Sequence, residues 1–396
     1  MLPRVMPGRL TMDFLKTESS AGFAPILAAS AALVLANSPL ASSYFRFLDT
    51  PVPVQFGAFA QTASVAGWIK DGLMAVFFLV VGLEIKFEVV RGELSSPRRL
   101  AMPILAAIGG MALPALIYLT INLGNGGSPR GWPVGTPTDI AFAVAALNVV
   151  GRRLPASLRL FLLTLAIADD FGAVALIGFL YSGTIHWSAA IAALVVLAIL
   201  SALSQIRRGP LLLYAFGFLL VWAFCLKSGI STSIAGVACA MTVPAGARRP
   251  GGESMLTLFM DALHPWVAFG VLPLFAFTAA GFSFKGLGPA AIASPVTLGI
   301  AMALLVGKPL GVFGVAVLAA GLKLGRRPAG TTWLELLGVA TLAGVGFTMS
   351  LYLAQLAFPD PLAQREARLG VLAGSLASIA LGGLLLTWAG ARRQAT

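Results

Sequence analysis

The chain has 396 residues, 58% of them hydrophobic and only 11% charged, where an ordinary soluble domain carries about 25% charged residues. That composition excludes a soluble globular domain and points to a polytopic membrane protein. The formal net charge of +12 does not make the chain a nucleic-acid binder, because its basic residues sit between apolar runs rather than on one face of a soluble domain.

Met1–Ser20 carries Arg4, Arg9 and Lys16 and leads into an apolar run from Ala21 to Ala36. This run starts too late for the core of a cleaved signal peptide, so it is read as a retained first span. Ser38–Ser64 follows as an external connection, in which Val52-Pro53-Val54-Gln55-Phe56 alternates like a short strand, or forms a proline-containing loop. The next spans are expected at about Val65–Glu84, Ala101–Asn122, Thr138–Val150, Leu158–Leu180, Ser188–Leu203, Leu211–Leu226 and Ile230–Val243. Four more are expected at about Pro265–Phe282, Pro295–Ala320, Leu334–Ala357 and Leu369–Ala389. The fold class is therefore an all-α membrane protein of about twelve transmembrane helices. Cys225 and Cys239 lie in or beside apolar stretches without ligand-like spacing and read as buried structural thiols, with no disulfide and no metal cluster.

The basic residues fall loop by loop on one side. Nineteen lie on the side of Met1–Ser20, Arg98, Arg152, Arg207, Arg248, Arg326 and Arg392, and six on the other: Arg46, Arg130, Lys227, Lys285, Arg365 and Arg368. Cytoplasmic loops retain positive charge, so both termini are expected in the cytoplasm.

Two spans look broken. Val134-Gly135-Thr136-Pro137-Thr138-Asp139 precedes the fourth, where Pro137 disfavours helix before it and is suited to open a new helix at its first position. The eleventh contains Ala343-Gly344-Val345-Gly346-Phe347-Thr348-Met349-Ser350, where two glycines weaken the helix. Spans three to five and ten to twelve run in opposite senses, each with its middle span interrupted, as in an inverted-topology repeat. Small residues at every fourth position, Gly299, Ala303, Gly307, Gly311 and again Gly370, Gly374, Ser378, Gly382, suit close helix packing.

The chemistry centres on Asp169 and Asp170, adjacent acids in the middle of the fifth span. Each costs on the order of 2.5 to 3.5 kcal/mol at a bilayer centre, so the pair needs water, a cation or a proton. A hard monovalent cation takes carboxylate, hydroxyl and carbonyl oxygens, and Thr138 and Asp139 are placed to complete such a set. Two acids so close also compete for protons, which makes the pair suited to exchange a cation for protons. Asp139 lies where the free N–H groups of a half-helix favour an anion, and Lys308 is suited to pair with a carboxylate or with carbonyls freed at the break in span eleven. Charge compensation of broken helices explains both residues equally well. Glu84, Lys86, Glu88 and Arg91 cluster at the end of span two, and Glu253, Asp261 and His264 before span nine. A solvated, salt-bridged face is the plainer reading of these clusters and a titratable funnel the sharper one. An intramembrane aspartyl protease lacks support because no Gly-x-Gly-Asp precedes either acid, and a prenyl-transfer enzyme would need a third acid near Asp170. A channel would pass cations without proton coupling.

Together, Met74-Ala75-Val76-Phe77-Phe78, Val81-Gly82-Leu83-Glu84, Thr138-Asp139-Ile140-Ala141-Phe142-Ala143, Ala166-Ile167-Ala168-Asp169-Asp170, Leu263-His264-Pro265-Trp266-Val267, Leu272-Pro273-Leu274-Phe275-Ala276-Phe277, Gly307-Lys308-Pro309-Leu310-Gly311 and Gly346-Phe347-Thr348-Met349-Ser350 resemble the bacterial NhaA-type sodium/proton antiporters over nearly the whole chain. That family is itself a known inverted-repeat case. The resemblance implies twelve helices with the fourth and eleventh unwound and crossing, a core bundle of about residues 100–181 and 293–390, and an interface bundle of about 21–90 and 188–283. It implies an electrogenic, pH-regulated transporter of the inner membrane, not an enzyme, that exports Na+ or Li+ against protons without a cofactor. Asp170 resembles the principal sodium ligand, Asp169 the proton carrier paired with Lys308, and Asp139 with Thr138 the group balancing dipoles at the crossing. Glu84, Glu88 and His264 match positions tied to the pH response. The partners implied are membrane lipid and a second copy, as a homodimer joined through a hairpin near Arg46–Phe59. Phe87 stands where the family carries an arginine, and Met260-Asp261 where it carries Glu-His, so a different pH threshold is expected with the transport chemistry retained.

Overall fold

In the bilayer every backbone N–H and C=O has to be satisfied within the protein, so apolar runs become helices. A computed structural model describes residues 22–56, 59–90, 97–124, 126–150, 154–181, 184–205, 210–246 and 254–395. The basic segment Met1–Ser20 and Arg91, Arg152, Arg207, Arg248 and Glu253 lie outside the described residues.

Helix α1 (Phe23–Ala36) turns by 115° into α2 (Ala41–Asp49), which leads to an antiparallel hairpin of β1 (Pro51–Phe56) and β2 (Phe59–Ser64). A short helical turn and a π turn at Ile69–Leu73 lead into α3 (Met74–Val90), followed by α4 (Pro97–Asn122). Next come α5 (Ile140–Val150), α6 (Ala156–Leu180), α7 (Trp187–Gln205), α8 (Leu211–Ser228) and α9 (Thr232–Thr242). α10 (Met255–Trp266) continues through a π turn into α11 (Leu272–Ala280), and α12 (Pro295–Met302) through another into α13 (Lys308–Gly321). The chain ends with α14 (Trp333–Leu342), α15 (Phe347–Ala357) and α16 (Pro361–Ala395).

Among the described residues, seven helices are long and apolar enough to cross a membrane, ten if each bent pair counts as one span. The architecture is thus an all-α membrane bundle with one hairpin. Cys225 and Cys239 are free and buried.

Three boundaries depart from the sequence reading. The external connection contains α2 as well as the hairpin. The helix expected to begin at Pro265 begins at Met255, because Ser254 Oγ accepts the Thr257 N–H at 3.2 Å and caps its first turn. His264 therefore lies inside a helix and does not cap one. The last helix begins eight residues before its apolar run, with Asp360 Oδ2 accepting the Ala363 N–H at 2.8 Å.

The small-residue ridges are packing surfaces. A Cβ on Gly311 would strike the Gly109 carbonyl of α4, and one on Gly370 would come within 2.6 Å of the Thr297 carbonyl of α12. α13 thereby lies against α4, and α16 against α12, at backbone contact. This close approach brings Lys308 to the centre of the bundle.

Candidate functional site

The two interrupted spans meet at the site. A 3-10 turn at Pro129–Gly135 and α5 are bent by 42° across Thr136–Asp139, and α14 and α15 by 45° across Ala343–Gly346. The unwound segments bond to each other directly, with the Asp139 N–H donating to the Val345 carbonyl at 2.6 Å. Gly344 is required here, since a Cβ would collide with the Leu304 carbonyl.

Asp139 is the N-cap of α5, which starts at Ile140 and not at Pro137 as the proline rule implied. The chain before Pro137 is a 3-10 turn that closes on Thr136 in the αR region, and Pro137–Asp139 form the unwound link between that turn and α5. The buried Asp139 carboxylate accepts the Phe142 N–H at 3.3 Å from its own helix. It also accepts the Thr348 N–H at 2.8 Å and the Thr348 hydroxyl. One carboxylate therefore faces the positive ends of two half-helices, α5 and α15.

Asp169 and Lys308 are both buried, with Lys308 Nζ 2.6 Å from Asp169 Oδ2. Nζ also donates to the Thr136 carbonyl. The carbonyl that Lys308 meets thus belongs to the break before α5, and not to the break in span eleven named from the sequence. The ammonium reaches it because α13 begins at Lys308, immediately after a π turn at Ala303–Gly307 that shifts the helix register. Thr138 Oγ1 lies 2.6 Å from Asp169 Oδ2 and 2.8 Å from the Ala343 carbonyl. Its single proton serves one of them.

Asp170, next along α6, faces elsewhere. It lines a cavity of about 70 Å³ together with Glu84, Asp139, His264, Thr348 and Met349. Its Oδ1 and that of Asp169 are buried without a hydrogen-bond partner among the described residues. Glu84 Oε1 and His264 Nε2 are 3.8 Å apart and line the same cavity, each with 17% of its side chain exposed where Asp170 is buried. Glu88 sits one helical turn beyond Glu84 on α3, and Asp261 is exposed on α10. Lys86 leaves the acidic cluster altogether, donating to the Met241 and Val243 carbonyls at 2.5 and 2.6 Å at the end of α9.

The structure brings Thr138, Asp139, Asp169, Asp170 and Lys308 to one place and sets Glu84 and His264 at the mouth of the cavity beside Asp170. Glu88 and Asp261 do not line that cavity. Thr348 and Thr136 were named from the sequence only as parts of the broken stretches, and neither was assigned to the site. Thr348 lies in the first turn after the glycine-weakened break, and that position and its place in the Gly346–Ser350 motif were its signals. Among the described residues no group of three or more His, Cys, Asp or Glu side chains has metal-binding geometry. A cation here would draw on two carboxylates, hydroxyls, carbonyls and water.

Residues 12–386 match the family model described as Na+/H+ antiporter 1. The chain is 46% identical over 374 residues to the Na+/H+ antiporter NhaA of Pseudomonas putida strain GB-1, covering 93% of this chain and 95% of the relative. It is 45% identical over 389 residues to the Na+/H+ antiporter NhaA of Rhodospirillum rubrum, covering 96% and 98%. It is likewise 45% identical over 381 residues to the protein of the same name from Bordetella parapertussis, covering 95% and 96%.

Proposed function

The chain belongs to the Na+/H+ antiporter 1 family, and we propose that it is an electrogenic Na+(Li+)/H+ antiporter of the bacterial inner membrane, working by alternating access around Asp169 and Asp170. The observation that carries this reading is Asp170 itself, a buried acid with an unpartnered oxygen on the wall of a cavity, one residue from an acid held by Lys308.

In this proposal a sodium ion reaches Asp170 through the cavity past Glu84 and His264. The ion competes for Asp169 with the Lys308 ammonium, since one carboxylate oxygen cannot hold both at full strength. In the proton-loaded state Asp170 is an acid, Asp169 is charged and Lys308 is an ammonium. When Na+ takes both carboxylates, Asp170 and the Asp169–Lys308 pair each release one proton to the same side. Two protons thus exchange for one Na+, and one net charge crosses per turnover. Asp139, with Thr138 and Thr348, holds the two half-helix ends together while the site turns from one side to the other.

The seven long helices, α1, the two bent pairs at the site, the helical segment 65–90 and the short α9 supply the twelve crossings we assign, with both termini cytoplasmic. Residues of about 100–181 and 293–390 form the moving core by this reading, and those of about 21–90 and 188–283 the interface bundle. The interface bundle joins a second copy through the β1–β2 hairpin. Glu84, Glu88, Asp261 and His264 are assigned the pH response.

The test is collapse of an imposed pH gradient in everted vesicles by Na+, Li+ and K+ at pH about 6.5 to 8.5, comparing the native chain with Asp170→Asn. Collapse by Na+ and Li+ but not K+, lost in the variant, is the expected result. No cation-dependent collapse at any of these pH values, with the protein present and folded, overturns the proposal.

A further inference from the structure

We propose that the pocket between α2, the end of α11 and the first turns of α16 binds the phosphate headgroup of an anionic phospholipid. The pocket encloses about 150 Å³ and is lined by Phe45, Phe282, Ser283, Gln364, Arg365 and Arg368. Its chemistry is two guanidiniums, a hydroxyl and an amide above two aromatic rings. Arg368 Nη1 donates to the Gly281 carbonyl at 3.1 Å, while its Nη2 lies 3.5 Å from Gln364 Oε1, at the edge of hydrogen-bonding range. Among the described residues no carboxylate lies within 4 Å of Arg365 or Arg368. Two arginines side by side with no acid to neutralise them form a fork that suits phosphate oxygens.

The pocket sits where a lipid headgroup would. α2 lies nearly crosswise to α1, buries Tyr44 and Leu48, and leaves Phe47 exposed, the pattern of a helix in the membrane interface. Tyr44 fastens it to α11 by donating to the Phe277 carbonyl at 2.6 Å. Phe284 and Leu362 beside the pocket are also exposed, leaving apolar surface for acyl chains. At the far end of α16, Arg392 stacks on Trp388 at 3.8 Å, a typical interfacial anchor. Between Arg368 and Arg392 the helix rises about 36 Å, slightly more than the ~30 Å hydrocarbon core. The two arginine pairs of α16 therefore stand at opposite headgroup levels.

A free phosphate would use the guanidiniums but leave the apolar rim bare. A zwitterionic lipid would bring an ammonium to a pocket whose lining has no carboxylate to receive it. The occupant is thus an anionic lipid such as phosphatidylglycerol, and it bridges α2 to α16. Its assignment to the outer leaflet rests on the orientation proposed above, whereas the binding itself does not.

The experiment is native mass spectrometry of the purified full chain titrated with phosphatidylglycerol, with phosphatidylethanolamine, and with inorganic phosphate. Native protein is compared with Arg365→Gln, an exposed position whose replacement spares the fold, and with Arg365→Gln/Arg368→Gln. One phosphatidylglycerol is expected to bind about fivefold more weakly for each arginine removed, while vesicle antiport by Arg365→Gln reports an intact fold. Unchanged phosphatidylglycerol affinity in the double variant overturns the proposal. So does equal retention of phosphatidylethanolamine, or displacement of the lipid by inorganic phosphate at equal concentration. Loss of antiport in the native chain with the lipid step intact would count against the transport proposal alone.

Discussion

At the floor of the site Lys308 faces Asp169, and at its mouth His264 faces Glu84, so a base meets an acid in both places. The floor pair is 2.6 Å apart with both side chains fully buried, whereas the mouth pair is 3.8 Å apart with 17% of each side chain exposed. Breaking a fully buried pair leaves an uncompensated charge and costs about 3–5 kcal/mol, and a longer pair that water partly reaches costs less to break. The floor is therefore built to hold one arrangement until something of equal charge displaces it, and the mouth to change with the solution. Asp170 stands between them, attached to neither pair.

The largest expected effect falls on that intermediate residue. Asp170→Asn should abolish Na+-dependent proton movement at every pH while the protein still folds, because the Asp169–Lys308 pair is untouched; vesicle fluorescence reads the first and thermal unfolding in detergent the second. Next, Lys308→Ala should lower stability by about 3–5 kcal/mol, with part recovered in Lys308→Ala/Asp169→Asn, where no buried charge is left unpaired. Parallel Na+ and H+ flux measurements on Lys308→Ala should show fewer protons per cation. An unchanged ratio would make Lys308 a purely structural partner.

Thr348→Val removes the hydroxyl that bonds to Asp139 and keeps the backbone bond. A charge-assisted hydrogen bond is worth about 1.5–3 kcal/mol, so the KM for Na+ is expected to rise about tenfold or more. The smallest effects belong to the mouth. Glu84→Gln removes the acid that faces His264 3.8 Å away, so the pH profile of activity should shift, with a smaller loss of stability than Lys308→Ala shows. Asp261→Ala should also shift the profile, with maximal rate within about twofold, and inactivity at every pH would place Asp261 in the transport path.

The breaks and the acids were legible because each leaves a local mark. Pro137 marks one interruption, Gly344 and Gly346 the other, and two adjacent carboxylates in an apolar helix are conspicuous at any resolution of reading. Contacts between distant parts of the chain left no such mark. Nothing near Thr348 announces that it will meet Asp139, and nothing near Lys308 says which broken span will offer its carbonyl. The start of α10 was missed for a different reason. Asp261 and His264 were placed before a span expected to open at Pro265, whereas the Ser254 cap and the packing of Met255, Leu256 and Phe259 against the bundle hold that stretch helical.

From the residues alone it followed that the chain crosses a membrane many times and must justify two acids within it, since hydrocarbon tolerates neither open backbone nor lone charge. Which acid is paired and which is open was settled by packing. Neighbouring residues on a helix point about 100° apart, so Asp169 and Asp170 reach different surroundings, and the close contact of α13 with α4 decides that the ammonium meets Asp169 and leaves Asp170 to the cavity.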